Sequence, residues 1–388
     1  MSRAWAPLIM VAAGCAPRTD PRIPSAMTVV KTNWTPVTTF LDSAVAAGAA
    51  PGAVLGVSVA GQRYVYASGR LSRDQAAQAE PTTVYDLASL TKVVGLTTAV
   101  MLAVDDRKLE LDAPVQRYLP AFEGEGKERV TIRLLLAHGS GLPAWRPLFQ
   151  EAGTREEAFV LADTTALSSP PGTVDVYSDL GMIVLTQVVE AVYHERLDSL
   201  LARRIFQPLG MTSVGFLPTA EPARIAPTEL DPWRGRLLRG EAHDENAARL
   251  DGVSGHAGLF GSAPDLLTFA EWMMGLWAGT ACRRIPPALP CGPTIQTFTR
   301  RQNLIPGSHR ALGWDTPSPG SSAGSLLSAT SFGHTGFTGT SLWIDPERRL
   351  AIVLLSNRLN PTRDNPRWAP VRAAIADLVM TTLFEDVR

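Results

Sequence analysis

Apolar positions in this chain change their period from one stretch to the next. Residues 53–59 (Ala-Val-Leu-Gly-Val-Ser-Val) and 63–68 (Arg-Tyr-Val-Tyr-Ala-Ser) are short β-prone runs on either side of Gly61-Gln62, which predicts a hairpin. Residues 340–345 and 350–356 repeat the pattern around Pro346-Glu347. Between about 85 and 275 the period becomes helical, punctuated by Pro and Gly, with clear helices at 131–136, 179–194 and 197–206. Residues 38–49 read as an amphipathic helix stopped by Ala50-Pro51-Gly52, and a last helix is expected over 368–384. A run starting at Ser89 is apolar almost all round (Val93, Val94, Leu96, Val100, Met101, Val104), the signature of a helix through a core.

Strands at both ends with helices between them are most simply joined into one antiparallel sheet. That makes an α/β (α+β) fold in which the terminal helices cover the sheet and the helical middle forms a second lobe. Residues 36–86 and 326–388 are assigned to the α/β lobe and 87–280 to the helical lobe. Residues 281–325, rich in Pro, Gly and Ser, are expected to be irregular. An active site is expected in the cleft between the lobes.

With 388 residues the chain is long enough for two subdomains, and its net charge of -1 leaves no basic footprint for nucleic acid. No apolar run beyond the first residues is read as a membrane span. The leader does carry information: Arg3 precedes a short apolar stretch, Ala4 to Gly14, that ends in small residues before Cys15. This is the outline of a bacterial lipoprotein signal with Cys15 as the lipidated residue, so residues 1–35 are expected to be signal and tether on an exported, cell-envelope protein. Membrane attachment would then be through the lipid alone; translation from Met27 would instead leave the protein cytoplasmic. The two other cysteines, Cys282 and Cys291, could close a small disulfide loop in an oxidising compartment.

Only four of the 36 basic residues are lysine, and one of them, Lys92, follows Ser89 by three positions. Arginine stays protonated at any working pH, whereas a desolvated lysine can give up its proton and act as a base. On a helix the two side chains share a face, placing a nucleophile beside its base. Such a pair needs a proton relay and donors for an oxyanion. Tyr177 and Asp179, where a Pro-Gly loop enters the helix at 179, offer the first: the phenol can share a proton with Ser89 if Lys92 holds its pKa down, and Asp179 can bond the lysine or a substrate amide. Ser178 or Asp179 as a plain helix N-cap is the competing reading. The run Phe332-Gly333-His334-Thr335-Gly336-Phe337, before a strand, offers the second, with His334 and Thr335 meeting a substrate carboxylate or carbonyl. A Gly-rich turn with a satisfied histidine would look the same. Gly320-Ser321-Ser322-Ala323-Gly324 matches a nucleophile elbow but has no strand before it. His243, Asp244, Asp251 and His256 fit no usual metal spacing, so no metal is expected, although His256 can line the pocket. His138 and His194 read as helix caps, and Trp145, Trp233, Trp314 and Trp343 as pocket walls or core.

Taken together, Ser89-x-x-Lys92, the Tyr177-Ser178-Asp179 triplet and His334-Thr335-Gly336 resemble the signature set of the serine β-lactamase and penicillin-recognising enzyme superfamily. The order and spacing look like the class C β-lactamases, DD-carboxypeptidases and related esterases, and Thr131 to Pro143 and Gly258 to Leu266 extend the likeness. The resemblance implies a serine hydrolase with no cofactor, in which Ser89 is acylated, Lys92 activates it and Tyr177 is the general base. It places the oxyanion between the backbone N–H groups of Ser89 and Phe337, with Asp179, His334, Thr335 and Gly336 binding substrate. Two departures stand out. Asp179 occupies the place of an Asn that class C enzymes carry, and His334 that of the usual Lys; both count against an efficient β-lactamase and leave peptidase or esterase activity open, within an expected substrate range of β-lactam, D-Ala-D-Ala-type peptide or small ester. A monomer acting on a small-molecule or peptidoglycan-type substrate is expected. The alternative is a non-catalytic sensor that keeps a β-lactam or peptidoglycan fragment on Ser89.

Overall fold

The first helix, α1 (Thr35–Ala46), begins three residues earlier than the sequence pattern suggests. Pro36 sits in its opening turn, where a missing N–H costs nothing, and Gly48 at φ 81° ends it. The structure is a computed structural model that describes residues 32–279, 290 and 292–384; Cys15, Cys282 and Cys291 lie outside the described residues.

Strands β1 (Gly52–Val59) and β2 (Gln62–Gly69) form the expected hairpin, with the turn one residue earlier, at Ala60-Gly61. Both turn residues have positive φ (49° and 85°), which suits the twist of a two-residue hairpin loop. In the helical part, α2 (Thr98–Asp105), α3 (Ile132–Leu136) and α4 (Asp179–Tyr193) surround the Ser89 segment, and α5 (Ala263–Trp277) follows. At the far end come β3 (Phe332–Thr335), β4 (Ser341–Asp345), β5 (Leu350–Ser356) and α6 (Ala369–Leu383). Strands from the two ends join in one antiparallel five-stranded sheet, in the order β2-β1-β5-β4-β3.

The central strands β1 and β5 are buried along their whole length because helices cover both faces. Leu55, Val57 and Val59 lie opposite Leu354, Ile352 and Leu350 and pack on α1 and α6 through Leu41, Val371 and Ile375. Val54, Val353 and Leu355 face the other way, into the core that contains Leu266, Leu267 and Ala270 of α5. Each such aliphatic side chain contributes about 2 kcal/mol by leaving water. Gly56 lets α5 come down onto the sheet, since a Cβ there would lie 3.2 Å from Leu267 and 3.4 Å from Ala263. Residues 263–277, grouped with the helical lobe in the sequence, therefore form the second cover of the sheet.

Three other details differ from the sequence pattern. The Gly-rich run expected before a strand is in part a strand itself: β3 pairs Phe332 with Ile344 and Thr335 with Ser341 at the sheet edge. A helix, Gly292–Thr299, interrupts the stretch expected to be irregular. The Ser89 segment is not one regular helix: a 3₁₀ turn (Ala88–Leu90) leads into a π-helical stretch (Thr91–Thr97) and then α2. Ala88–Asp105 has the length and composition of a membrane span, mean hydropathy 1.4, which the sequence reading did not count. Its side chains lie inside the core, Leu90, Val93, Val94 and Leu96 without any exposure.

Candidate active site

Ser89 sits on a tightly held turn. The buried Asp86 accepts the Ala88 N–H at 2.8 Å and the His243 N–H at 2.7 Å, and Ala88 is left at φ 47°, an uncommon conformation for a residue with a Cβ. From the other side, Thr338 and Thr340 donate their hydroxyls to the carbonyls of Asp86 (2.7 Å) and Leu87 (2.9 Å). Gly336 has to be glycine here, because a Cβ would come within 2.5 Å of the Leu87 oxygen. These bonds fasten the turn after β3 to the Ser89 turn. Neither the Ser89 nor the Phe337 backbone N–H donates to another described residue, so both are free for an oxyanion.

Ser89 is half-buried and Lys92 fully buried. Ser89 lies in the 3₁₀ turn and Lys92 in the first turn of the π-helical stretch that follows it, and Lys92 Nζ reaches Ser89 Oγ at 2.9 Å. The same ammonium donates to the His256 carbonyl at 2.9 Å and pairs with Asp179 Oδ1 at 2.6 Å, and it lies 4.9 Å from the centre of the Tyr177 ring. The Tyr177 phenol is in hydrogen-bonding reach of both Ser89 and Lys92. The three residues of the predicted machinery, with Asp179, thus meet at one point.

Their charge states reverse the expectation drawn from sequence. Burial pushes Lys92 down, but the Asp179 carboxylate and the Tyr177 oxygen outweigh it, and the ammonium is held above the ordinary lysine value. Burial pushes Tyr177 up, and Asp179 adds to this; the nearby Lys92 pulls down without prevailing. The resting site is therefore ammonium, phenol and carboxylate, not a neutral lysine beside a depressed phenol. His334 is lowered, mainly by burial, and donates from Nδ1 to the Thr335 carbonyl at 2.7 Å; it is a neutral imidazole, not the cation that a Lys would supply.

Several neighbours carry weight that the sequence did not disclose. His138, read as a helix cap, lies with its ring centre 4.7 Å from that of Tyr177. Arg310 lies 5.3 Å from the Tyr177 ring and is held by Asp175 at 3.0 Å and Asp315 at 2.5 Å. His256 presents its carbonyl to Lys92 while its ring bridges Ser254 (2.7 Å) and Asp244 (2.8 Å). Asp251, by contrast, is out at the surface near Arg196. Ser322 of the elbow-like sequence accepts the Trp343 indole N–H at 3.0 Å, and Trp314 and Trp343 are core residues. Trp145 (47% exposed), Trp233 (41%) and Phe337 (50%) are large side chains left at the surface. Phe149 joins the first two, and His243 packs against Phe337. Trp145 is next to Ala144, whose carbonyl accepts the Asp179 N–H, which puts this tryptophan on the Asp179 side of the site.

The sequence model of the beta-lactamase family matches residues 37–377, and the chain belongs to that family. A protein of Escherichia coli (strain K12), provisionally named D-alanyl-D-alanine carboxypeptidase, is 31% identical over 335 residues, covering 78% of this chain and 75% of its own. Among solved structures, a penicillin-binding protein homologue from Caulobacter crescentus superposes with a TM-score of 0.72 at 20% identity, covering 92% of this chain and 99% of that one. EstCE1, described as a hydrolase with promiscuous acyltransferase activity, superposes with a TM-score of 0.70 at 23% identity, covering 88% and 98%. The protein is accordingly a serine hydrolase of this family, with the fold expected from its motifs.

Proposed function

We propose that the protein hydrolyses neutral carboxylic esters, and amides more slowly, through an acyl-enzyme on Ser89. The observation that carries this is the convergence of Ser89 Oγ, Lys92 Nζ and the Tyr177 phenol in front of two unpaired backbone N–H groups. Ser89 attacks the ester carbonyl, and the Ser89 and Phe337 N–H groups hold the oxyanion. The serine proton passes to the phenolate form of Tyr177, which Lys92 stabilises, and from there to the departing alkoxide. Water then repeats the sequence on the acyl-enzyme and frees Ser89. Because Tyr177 rests as a phenol, acylation waits on the loss of one proton, and the rate rises with pH.

The preference for a neutral substrate follows from the charges. Lys92 is matched by Asp179, Arg310 by Asp175 and Asp315, and His334 is neutral, so none of these three groups offers a surplus cation to a substrate carboxylate. The name of the E. coli relative favours a second reading, cleavage of a peptide ending in a free carboxylate, for which Arg358, 4.7 Å from the Phe337 ring and without an ion pair among the described residues, is a cation on the oxyanion side. Intact Lys92 and Tyr177 support turnover over permanent acylation, the sensor reading. Intact-protein mass spectrometry after adding penicillin or a p-nitrophenyl ester separates these readings, with Ser89→Ala as control. Ester cleavage that needs Ser89, without a penicillin adduct, supports the esterase; a persistent penicillin adduct on Ser89 supports the peptidase or sensor and overturns the preference for esters.

A further inference from the structure

We propose that His138 is a positioning residue for Tyr177: it grips the peptide N–H groups on both sides of the tyrosine and so fixes the phenol against Ser89 and Lys92. The inference rests on the catalytic reading of Tyr177 given above. Residues 138–141 and 168–178 lie against each other, joined by Ser168 N–H to Gly141 O (2.7 Å), Gly172 N–H to Gly139 O (2.8 Å) and Val176 N–H to His138 O (2.9 Å). These three bonds use backbone on both sides and would survive a change of side chain. The next one is different: Ser178 N–H donates to the His138 ring at Nδ1, 3.1 Å away. Tyr177 is thus held between a bond to the backbone of His138 and a bond to its imidazole.

The local conformation is specialised for this. His138 follows α3 at φ 56°, buried to 2% exposure, with its ring tilted 45° to that of Tyr177. Burial, helped by the charges of Arg310 and Lys92, keeps His138 well below the ordinary histidine value, so the ring is neutral. A neutral ring that accepts at Nδ1 carries its proton on Nε2, which is buried and has no partner among the described residues. Nδ1 alone therefore makes the side-chain bond. Ser178 is in turn the N-cap of α4: its hydroxyl accepts the Gly181 N–H at 3.1 Å and donates to the Pro143 carbonyl at 2.6 Å. Asp179, the partner of Lys92, is the first residue of that helix. One imidazole nitrogen thereby fixes the loop that presents both the proton carrier and the counter-ion.

The test is a set of three variants in the full chain, assayed on a p-nitrophenyl ester with the folded fraction measured by circular dichroism. His138→Asn keeps an acceptor close to the Nδ1 position and tolerates positive φ. His138→Gln moves its polar atoms out towards Nε2, and His138→Gly relieves the backbone while offering no acceptor. The expected result is that Asn stays within about threefold of native kcat, while Gln and Gly lose about 10- to 100-fold in kcat with little change in KM, the scale of a misplaced reacting group. Gln or Gly matching native kcat overturns the proposal, as does Asn falling as far as Gly. Tyr177→Phe, run alongside, separates the two levels: if it keeps native kcat, the role of Tyr177 fails and this inference falls with it, whereas an inactive Tyr177→Phe beside a fully active Gln variant removes only His138.

Discussion

Two buried lysines in this protein have been given opposite characters. Lys92 and Lys127 are each almost fully out of water. Lys127 donates to the backbone carbonyl of Asp163 and lies 4.6 Å from the centre of the Phe122 ring; burial lowers its pKa, and Asp163 opposes this without prevailing. Lys92 touches the Asp179 carboxylate directly and is raised. Burial alone favours a neutral amine, and a carboxylate in contact reverses the sign. The lysine that fits the description of a depressed base has no nucleophile beside it, while the one beside Ser89 is kept as a cation. In the proposed mechanism Lys92 would therefore act chiefly as a fixed positive charge under the reacting atoms, promoting acylation through its electrostatic pull on Tyr177.

The comparison can be broken at either end. Ser89→Ala should abolish ester turnover, by at least ~10⁴-fold in kcat, with an unchanged circular dichroism spectrum. Lys92→Ala and Lys92→Arg should each cost about 10³-fold, since the larger guanidinium cannot occupy the same three-way contact among Ser89, His256 and Asp179. Retained activity in the arginine variant would show that any cation suffices. Asp179→Asn is the sharpest probe of charge. Asp179 raises both Lys92 and Tyr177, so its removal lowers both, moving the rising limb of kcat/KM to lower pH and raising activity at neutral pH. The new amide also supplies an N–H donor, so acylation by a penicillin, followed by mass, should improve. The smallest effect belongs to the other lysine. Lys127→Met should leave kcat unchanged and stability either equal or raised by up to ~2 kcal/mol in urea unfolding, because a buried cation that no carboxylate touches directly is removed and Asp163 acts on it only from a distance.

What could be read in the sequence follows the range of the forces involved. Runs such as Ala53-Val54-Leu55 and Ile352-Val353-Leu354 identify their strands because both faces of the sheet are apolar, and that information is local. The four-residue edge strand Phe332–Thr335 escaped because Gly333 has no side chain and its neighbours alternate with nothing; only pairing with Ser341–Asp345 makes it a strand. Motif spacing was enough to bring Ser89, Lys92, Tyr177 and His334 together as candidates. It was blind to protonation, since the charge on Lys92 depends on how closely Asp179 approaches it in three dimensions. His138 looked like the end of a short helix, which it is; its second role exists only through the Tyr177 loop folded back against it. Arg310 was hidden for a similar reason, in a stretch with no periodicity to read. The glycines around His256 were a usable hint of a shaped loop near the cleft, and its carbonyl does hold Lys92.

The measurement closest to the centre of this picture is the pH dependence of Ser89 acylation, read as the p-nitrophenol burst from a p-nitrophenyl ester in native protein and Asp179→Asn. The base form of Tyr177 is scarce at neutral pH because its folded pKa is raised, so the native burst rate should climb roughly tenfold per pH unit from about pH 7 to 9. The Asp179→Asn curve should run parallel, displaced to lower pH. A native rate that is flat across that range, or an Asn variant that shifts to higher pH, would mean that the proton acceptor for Ser89 is already in its base form at rest, contrary to the ammonium, phenol and carboxylate arrangement described above.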